Sequence, residues 1–283
     1  MHKLKIIECP RDAMQGLRDF IPTDVKVDYI NSILDCGFDT VDFGSFVSPK
    51  AIPQMRDTAE VLELLNPSDS KLLSIVVNER GANLAVQFER IDYLGFPFSV
   101  SEQFQQRNTN SSIEHAFTRV EAIQNLARKY NKEVVLYLSM GFGNPYGDEW
   151  HPDIVTGWAE KLYEKLDIKI QAVSDTIGCG NPESVNSLIK TLIPSLPNVE
   201  FGAHLHTIPQ NAKELVEAAY NAGCYRFDGA IKGFGGCPMA KDDLTGNMPT
   251  ELALEWFNEQ NIATGVDQAK FDATMNKALN VFP

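Results

Sequence analysis

Cysteine is scarce in this chain. Cys9, Cys36, Cys179, Cys224 and Cys237 are scattered and odd in number, which argues against a disulfide framework and suits a reducing, cytoplasmic setting. Basic residues are also in deficit: 25 Lys and Arg face 38 Asp and Glu, a net charge of −13. A nucleic-acid partner is therefore not expected. No apolar run reaches about 18 residues, so neither a transmembrane helix nor a membrane partner is expected. Met1-His2-Lys3-Leu4-Lys5 runs straight into a strand, with no apolar h-region and no Arg/Ser-rich transit pattern. A Gly-x-Gly-x-x-Gly turn after the first strand is missing, which removes support for dinucleotide binding. Nor is there a composition break that would mark a linker.

What remains is a chain of 283 residues with ordinary globular composition. That length accommodates one large α/β domain or two smaller ones. Leu4–Cys9 reads as a strand and Pro10–Gly16 as a loop. Thr23 or Asp24 caps a helix ended by Gly37, and Thr40–Phe43 is a second strand. Ala51–Leu65 is helical in character, Leu72–Val77 a buried strand, Ala82–Phe88 a weak helix and Ile91–Gly95 a fourth strand. A long polar connection, Ser99–Asn110, precedes Ser111–Glu114, which has the spacing of a capping box and opens a helix to Tyr130. Val134–Ser139, Lys169–Val173, Phe201–His206 and Arg226–Ala230 supply the remaining strands. Helices lie between them, and two more follow near Glu251–Phe257 and Asp267–Leu279. Apolar strands alternating with helices predict a parallel sheet covered by helices. Eight repeats over this length have the size of a closed (β/α)8 TIM barrel with additional C-terminal helices, forming one domain over 1–283. A doubly wound open sheet is the alternative.

Phe201-Gly202-Ala203-His204-Leu205-His206-Thr207 is the most informative stretch. Residues two apart on a strand share a face, so His204 and His206 point one way and Ala203 and Leu205 the other. The pair is either half of a metal site or two polar residues that bind nothing. Other reactive side chains collect at predicted carboxyl ends of strands, where barrel active sites lie. Arg11 and Asp12 follow strand one, Asp42 sits at the end of strand two, and Asp175 ends strand six. A glycine-rich loop, about 231–247, follows strand eight and carries Cys237 and Asn247. Singly these residues read as helix caps, a buried thiol and an ordinary loop. Together they converge on one rim.

In order along the chain, Pro10-Arg11-Asp12-Ala13-Met14-Gln15, Ser45-Phe46-Val47-Ser48-Pro49-Lys50, Pro53-Gln54-Met55, Ser101-Glu102-Gln103-Phe104, Arg107–Glu114, Asp175-Thr176-Ile177-Gly178, the His-x-His pair, Gly235-Gly236-Cys237-Pro238 and Thr245-Gly246-Asn247 resemble the 3-hydroxy-3-methylglutaryl-coenzyme A lyase family. This family belongs to the metal-dependent lyase and Claisen-condensing barrel superfamily, and the resemblance runs nearly end to end. It implies that Asp12, His204, His206 and Asn247 bind a divalent metal. One carboxylate, one amide oxygen and two imidazoles leave room for substrate oxygens and suit Mg²⁺ or Mn²⁺. It further implies that Arg11 stabilises an enolate oxygen and that Asp42 and Asp175 line the site. His204 would share in proton transfer, and Cys237 would be an acid/base on a mobile loop.

An acyl-CoA substrate follows from the same resemblance. Arg107 and Asn108 are the candidates for its phosphate or pantetheine, and Ser45 for a distal carboxylate. Departures fall on the substrate side: Asp42 stands where the family has Glu, Thr207 where it has Asp, Ala172 where it has Ser and Val135 where it has Arg. Met140–Pro145 replaces a cysteine-bearing loop. The leading expectation is cleavage of 3-hydroxy-3-methylglutaryl-CoA to acetyl-CoA and acetoacetate, as in leucine degradation, by a cytoplasmic enzyme that barrels of this kind suggest is a homodimer. A related aldol or Claisen reaction on another 3-hydroxyacyl-CoA or 2-oxo acid is the alternative, although no long C-terminal regulatory domain of the condensing enzymes is evident. A non-catalytic acyl-CoA-binding barrel is the third reading.

Overall fold

Strand and helix alternate throughout the computed structural model, which describes residues 3–236 and 245–282. The order is β1 (Lys5–Glu8), α1 (Pro10–Gln15), α2 (Thr23–Leu34), β2 (Thr40–Ser45), α3 (Thr58–Leu64), β3 (Lys71–Ile75), α4 (Glu79–Ala85), β4 (Tyr93–Ser99), α5 (Glu102–Thr109), α6 (Ile113–Lys129), β5 (Glu133–Ser139), α7 (Pro152–Leu166), β6 (Ile170–Asp175), α8 (Pro182–Ser195), β7 (Glu200–Leu205), α9 (Ala212–Asn221), β8 (Arg226–Gly229), α10 (Thr250–Glu259) and α11 (Gln268–Ala278). The strands form one closed parallel barrel in sequence order. β1 closes it against β8, with Lys5 opposite Arg226 and Glu8 opposite Gly229. The open-sheet alternative is thereby excluded, and the helices after β8 are the additional C-terminal ones.

Apolar side chains pack in two places. A large outer cluster fills the space between strands and helices; Ala203 and Leu205 of β7 belong to it. A smaller cluster, including Leu73, Ile75, Tyr93, Val135, Tyr137 and Ala172, fills the barrel interior. Burial on both strand faces explains why the strands read as nearly continuous apolar runs.

Two segments differ from their sequence reading. Pro10–Gly16 is not a loop: Pro10 opens α1 at a first-turn position, where its missing N–H costs no helical bond. The helix is short and carries Arg11 and Asp12, so its polar sequence hides the pattern. Ser99–Asn110 is not an irregular connection either. Ser101 accepts a hydrogen bond from the Phe104 N–H and caps α5, and Asn110 closes it with φ of 50°. Only Phe104 and Gln105 of α5 are buried, so the helix lacks an apolar stripe to read. Smaller shifts have local causes. The cap of α6 is Ser112, which accepts from the His115 N–H, rather than a Ser111–Glu114 box. Pro53 opens a short 3-10 turn, Pro53–Met55, before α3, which splits the Ala51–Leu65 helix.

One buried carboxylate ties the stems of the β8–α10 connection together. Glu8 accepts from the Ile231 N–H at 2.9 Å and from the Thr250 hydroxyl at 2.5 Å. Burial pushes its carboxyl up to about 8, against which the two hydrogen bonds act weakly. Because the folded state holds this proton more tightly than the unfolded chain, stability falls as pH rises from the ordinary glutamate range to about 8 and is flat beyond. Glu8→Gln is expected to remove that slope. Denaturant titrations at pH 5 through 9 measure it; an unchanged slope in the variant refutes the assignment.

Candidate active site

The two histidines reach the rim because β7 alternates. Ala203 and Leu205 enter the outer core, and the rings of His204 and His206 lie side by side, their centroids 5.4 Å apart. Asp12 comes to them from the first turn of α1. One ligand atom from each of Asp12, His204 and His206 lies within 4.8 Å of the others. His206 forms an antiparallel bridge with Asn247, which brings the segment beyond β8 back to the same spot. The Asn247 amide nitrogen donates to the Phe234 carbonyl at 2.8 Å, and the side chain also hydrogen-bonds Asp12. Both bonds use the amide nitrogen, and among the described residues the amide oxygen has no hydrogen-bond partner.

This donor set fits a divalent cation. The ring of His206 is hydrogen-bonded to the backbone of Thr176, while its Nδ1 is buried with no partner among the described residues. A buried lone pair beside a carboxylate is costly unless something satisfies it. His204 uses Nδ1 on Asp228 Oδ2 at 3.1 Å, leaving Nε2 for the cluster. This carboxylate–imidazole arrangement is how metal-ligating histidines are commonly oriented. A second trio, Cys9, His204 and Asp228, is equally close. It is a poor ligand set, because burial and then the surrounding carboxylates push the Cys9 thiol well up and keep it protonated.

Charge is tightly coupled here. Arg11 donates through Nε and Nη2 to Asp42, at 3.0 and 2.5 Å, and through Nη1 to Asp12 at 2.8 Å. Burial alone would raise the Asp12 carboxyl; Arg11 and the two imidazoles bring it down to about 2. Asp42 is buried more deeply, and burial outweighs Arg11, so its carboxyl rises to about 6. Burial and the neighbouring His204 charge lower His206 to about 4. His204 goes the other way: burial opposes protonation, but the hydrogen bond and charge of Asp228 raise it.

A cavity of about 190 Å³ opens above this cluster. Arg11, Asp12, Gln15, Tyr137, Ser139, Ser174, Thr176 and both histidines form its polar side, and Val47, Ile52, Ile75, Val77, Pro97 and Phe104 its apolar side. Asn108 also lines it. The remaining expected site residues lie apart. Asp42 is fully buried behind Arg11 and does not line the cavity. Ser45 lines an adjoining pocket, and its hydroxyl donates to the Ile75 carbonyl at 3.3 Å. Arg107 lies 4.5 Å from the centre of the Tyr146 ring. Asp175 lies under the rim, accepting from the Gly180 and Cys179 N–H groups at 2.7 and 3.0 Å; burial raises its carboxyl. Cys237 lies outside the described residues. Sequence reading passed over Asp228, whose one signal was a carboxylate in the last strand, two residues from a charged arginine.

A closed parallel barrel with an Asp-His-His cluster and a paired arginine at its carboxyl rim defines a (β/α)8 barrel of the metal-dependent enzyme type, with a candidate divalent-metal site. A family profile described as HMGL-like matches residues 3–277. The cytoplasmic 3-hydroxy-3-methylglutaryl-CoA lyase of Rattus norvegicus is 32% identical over 269 residues, covering 94% of this chain and 78% of that protein. An HMG-CoA lyase from Acinetobacter baumannii, solved with coenzyme A and 3-methylmalate, superposes with a TM-score of 0.91 at 29% identity, covering 99% of this chain and 91% of the other. That of Brucella melitensis gives 0.91 at 27% identity, with 99% of both chains covered. The chain belongs to the HMGL-like family.

Proposed function

We propose that this protein cleaves 3-hydroxy-3-methylglutaryl-CoA to acetyl-CoA and acetoacetate, using Mg²⁺ or Mn²⁺, as a cytoplasmic homodimer. The observation that carries this reading is the convergence of Asp12, His204, His206 and Arg11 on one cavity. Relatives named for this reaction, one of them holding coenzyme A, support it. Asp12, His204, His206 and the Asn247 amide oxygen would hold the cation. When bound, it polarises the substrate oxygens and lowers the cost of charge on them.

The protein's own residues supply the rest. The tertiary hydroxyl must lose a proton as the C2–C3 bond breaks, its electrons passing to the thioester enolate. The enolate must then gain a proton at C2. Arg11 faces the cavity with a guanidinium fixed by two carboxylates, and so can stabilise the enolate oxygen without reorganising. His204, its Nδ1 engaged with Asp228, is a candidate for moving the hydroxyl proton. Cys237, on the connection whose stems Glu8 holds, is the candidate donor to carbon. Cys237→Ser is expected to leave the melting temperature unchanged and lower turnover by about 10²-fold. Full turnover in that variant would remove the thiol from the reaction. Asn108 lines the cavity and Arg107 precedes it on α5, which supports a role for that helix in holding a pantetheine arm.

The test of the reading is release of acetyl-CoA from the thioester, with and without Mg²⁺ or Mn²⁺. No release under either condition overturns it. A related 3-hydroxyacyl-CoA is the second reading, favoured by Val135 and Ala172: both are fully buried in the interior apolar cluster, where the resemblance leads one to expect a cation and a hydroxyl. A panel of 3-hydroxyacyl-CoA esters and 2-oxo-4-hydroxy acids separates the two.

A further inference from the structure

Arg226 is the largest fully buried side chain among the described residues. It sits on β8 two residues before Asp228, so both project into the barrel interior, about 7 Å apart along the strand. Room for it is built in. A β-carbon on Gly202 would stand 3.0 Å from Arg226 Cδ, and the same point is 3.5 Å from the small Ala172 side chain. The guanidinium passes 5.9 Å from the centre of the Tyr93 ring and donates through Nη1 to Glu200 at 3.3 Å. Its Nε and Nη2 are buried without any partner among the described residues. Asp228 carries the complementary deficit: Oδ2 is bound to His204, and Oδ1 is buried and unpartnered. The Tyr137 hydroxyl is a third orphan in the same interior, its ring 5.2 Å from that of His204.

Buried donors and acceptors left unmatched on one strand face call for a connection. A guanidinium offers donors only and a carboxylate acceptors only, so one ordered water can accept from the first and donate to the second. We propose that Arg226 is a positioning residue for the metal site: through ordered water it holds the Asp228 carboxylate in place, and Asp228 in turn fixes His204 with its proton on Nδ1 and its Nε2 lone pair toward Asp12 and His206. The inference rests on the proposed metal site and extends it one layer down the barrel. The buried charge then has a use.

The test compares the wild type with Arg226→Met, Asp228→Asn and the double variant, reading Mn²⁺ affinity by calorimetry and the ring ¹⁵N shifts of His204 in the metal-free protein. Arg226→Met is expected to weaken Mn²⁺ binding by about 10-fold or more and to broaden His204 into a mixture of tautomers. The double variant is expected to lose no more than Asp228→Asn alone. Arg226→Gln serves in place of the methionine variant if the latter fails to fold, and Arg226→Lys is expected to restore part of the affinity. Wild-type affinity in Arg226→Met, losses that multiply in the double variant, or an unchanged His204 pattern each overturn the proposal. If the wild type itself binds no Mn²⁺, the metal reading fails, and the His204 tautomer still decides whether Arg226 positions the ring.

Discussion

His206→Ala is expected to reduce Mn²⁺ affinity by at least about 10²-fold, because loss of an outer partner alone costs 10- to 100-fold and this substitution removes a donor atom itself. The buried, unpartnered Nδ1 makes His206 the cleanest choice among the four candidate ligands. Asp12 is also tied to Arg11, and His204 to Asp228, so their loss disturbs more than the cation. Acetyl-CoA release should fall with metal occupancy and recover in part at high Mn²⁺. Binding should also weaken as pH drops, since ligating imidazoles must be neutral. The window is set by His204, whose tendency to protonate is raised, and not by His206, which stays neutral down to about 4. Equal calorimetric titrations of wild type and His206→Ala would exclude His206 as a ligand.

Arg11→Met is the second large expected effect. Removing a donor from a developing enolate lowers turnover by about 10²- to 10³-fold. It also leaves the carboxylates of Asp12 and Asp42 without their shared counter-ion, and breaking a buried pair of this kind costs about 3–5 kcal/mol of stability. Asp42 relieves part of that cost. Its carboxyl already stands near 6 with Arg11 beside it, so without Arg11 it rises further and takes up a proton at neutral pH. Infrared difference spectra should show a protonated carboxyl band at pH 7 in Arg11→Met that Arg11→Met/Asp42→Asn lacks. A variant that keeps wild-type turnover removes Arg11 from the reacting atoms; one that keeps wild-type stability shows that the guanidinium is not neutralising the pair.

Much of this architecture could be read from local pattern. The outward Ala203 and Leu205 and inward His204 and His206 follow from a period of two, and eight apolar strands spaced by helices led to the barrel. The helices α1 and α5 escaped because their faces bury functional or polar side chains, so neither shows an apolar stripe. Pro10 and Ser101 were the true signals, one a first-turn residue and one a cap. The side-chain partnerships were out of reach for a different reason. That Asp42 is spent on Arg11, that Ser45 donates to Ile75, and that Asp228 stands behind His204 are facts of pairing between separate elements. Such pairing depends on the register and shear of a closed sheet, which no short stretch of residues encodes. Val135 and Ala172 were visible as departures, but Arg226 in the same interior became meaningful only once β8 was seen to close on β1.

Closure of β1 on β8 brings together donor groups that the ribosome makes far apart in time. Asp12 is made before the second strand, whereas the two histidines arrive after six strands and Asn247 after all eight. On the proposed ligand set, a nascent chain would have no complete chelate until all eight strands are made, and a bound cation would tie the segment after β1 to the segment after β8. Such a long closure carries a large conformational entropy, so the cation would act as a final latch on the assembled ring. Chains interrupted before Asn247 would have only part of that latch.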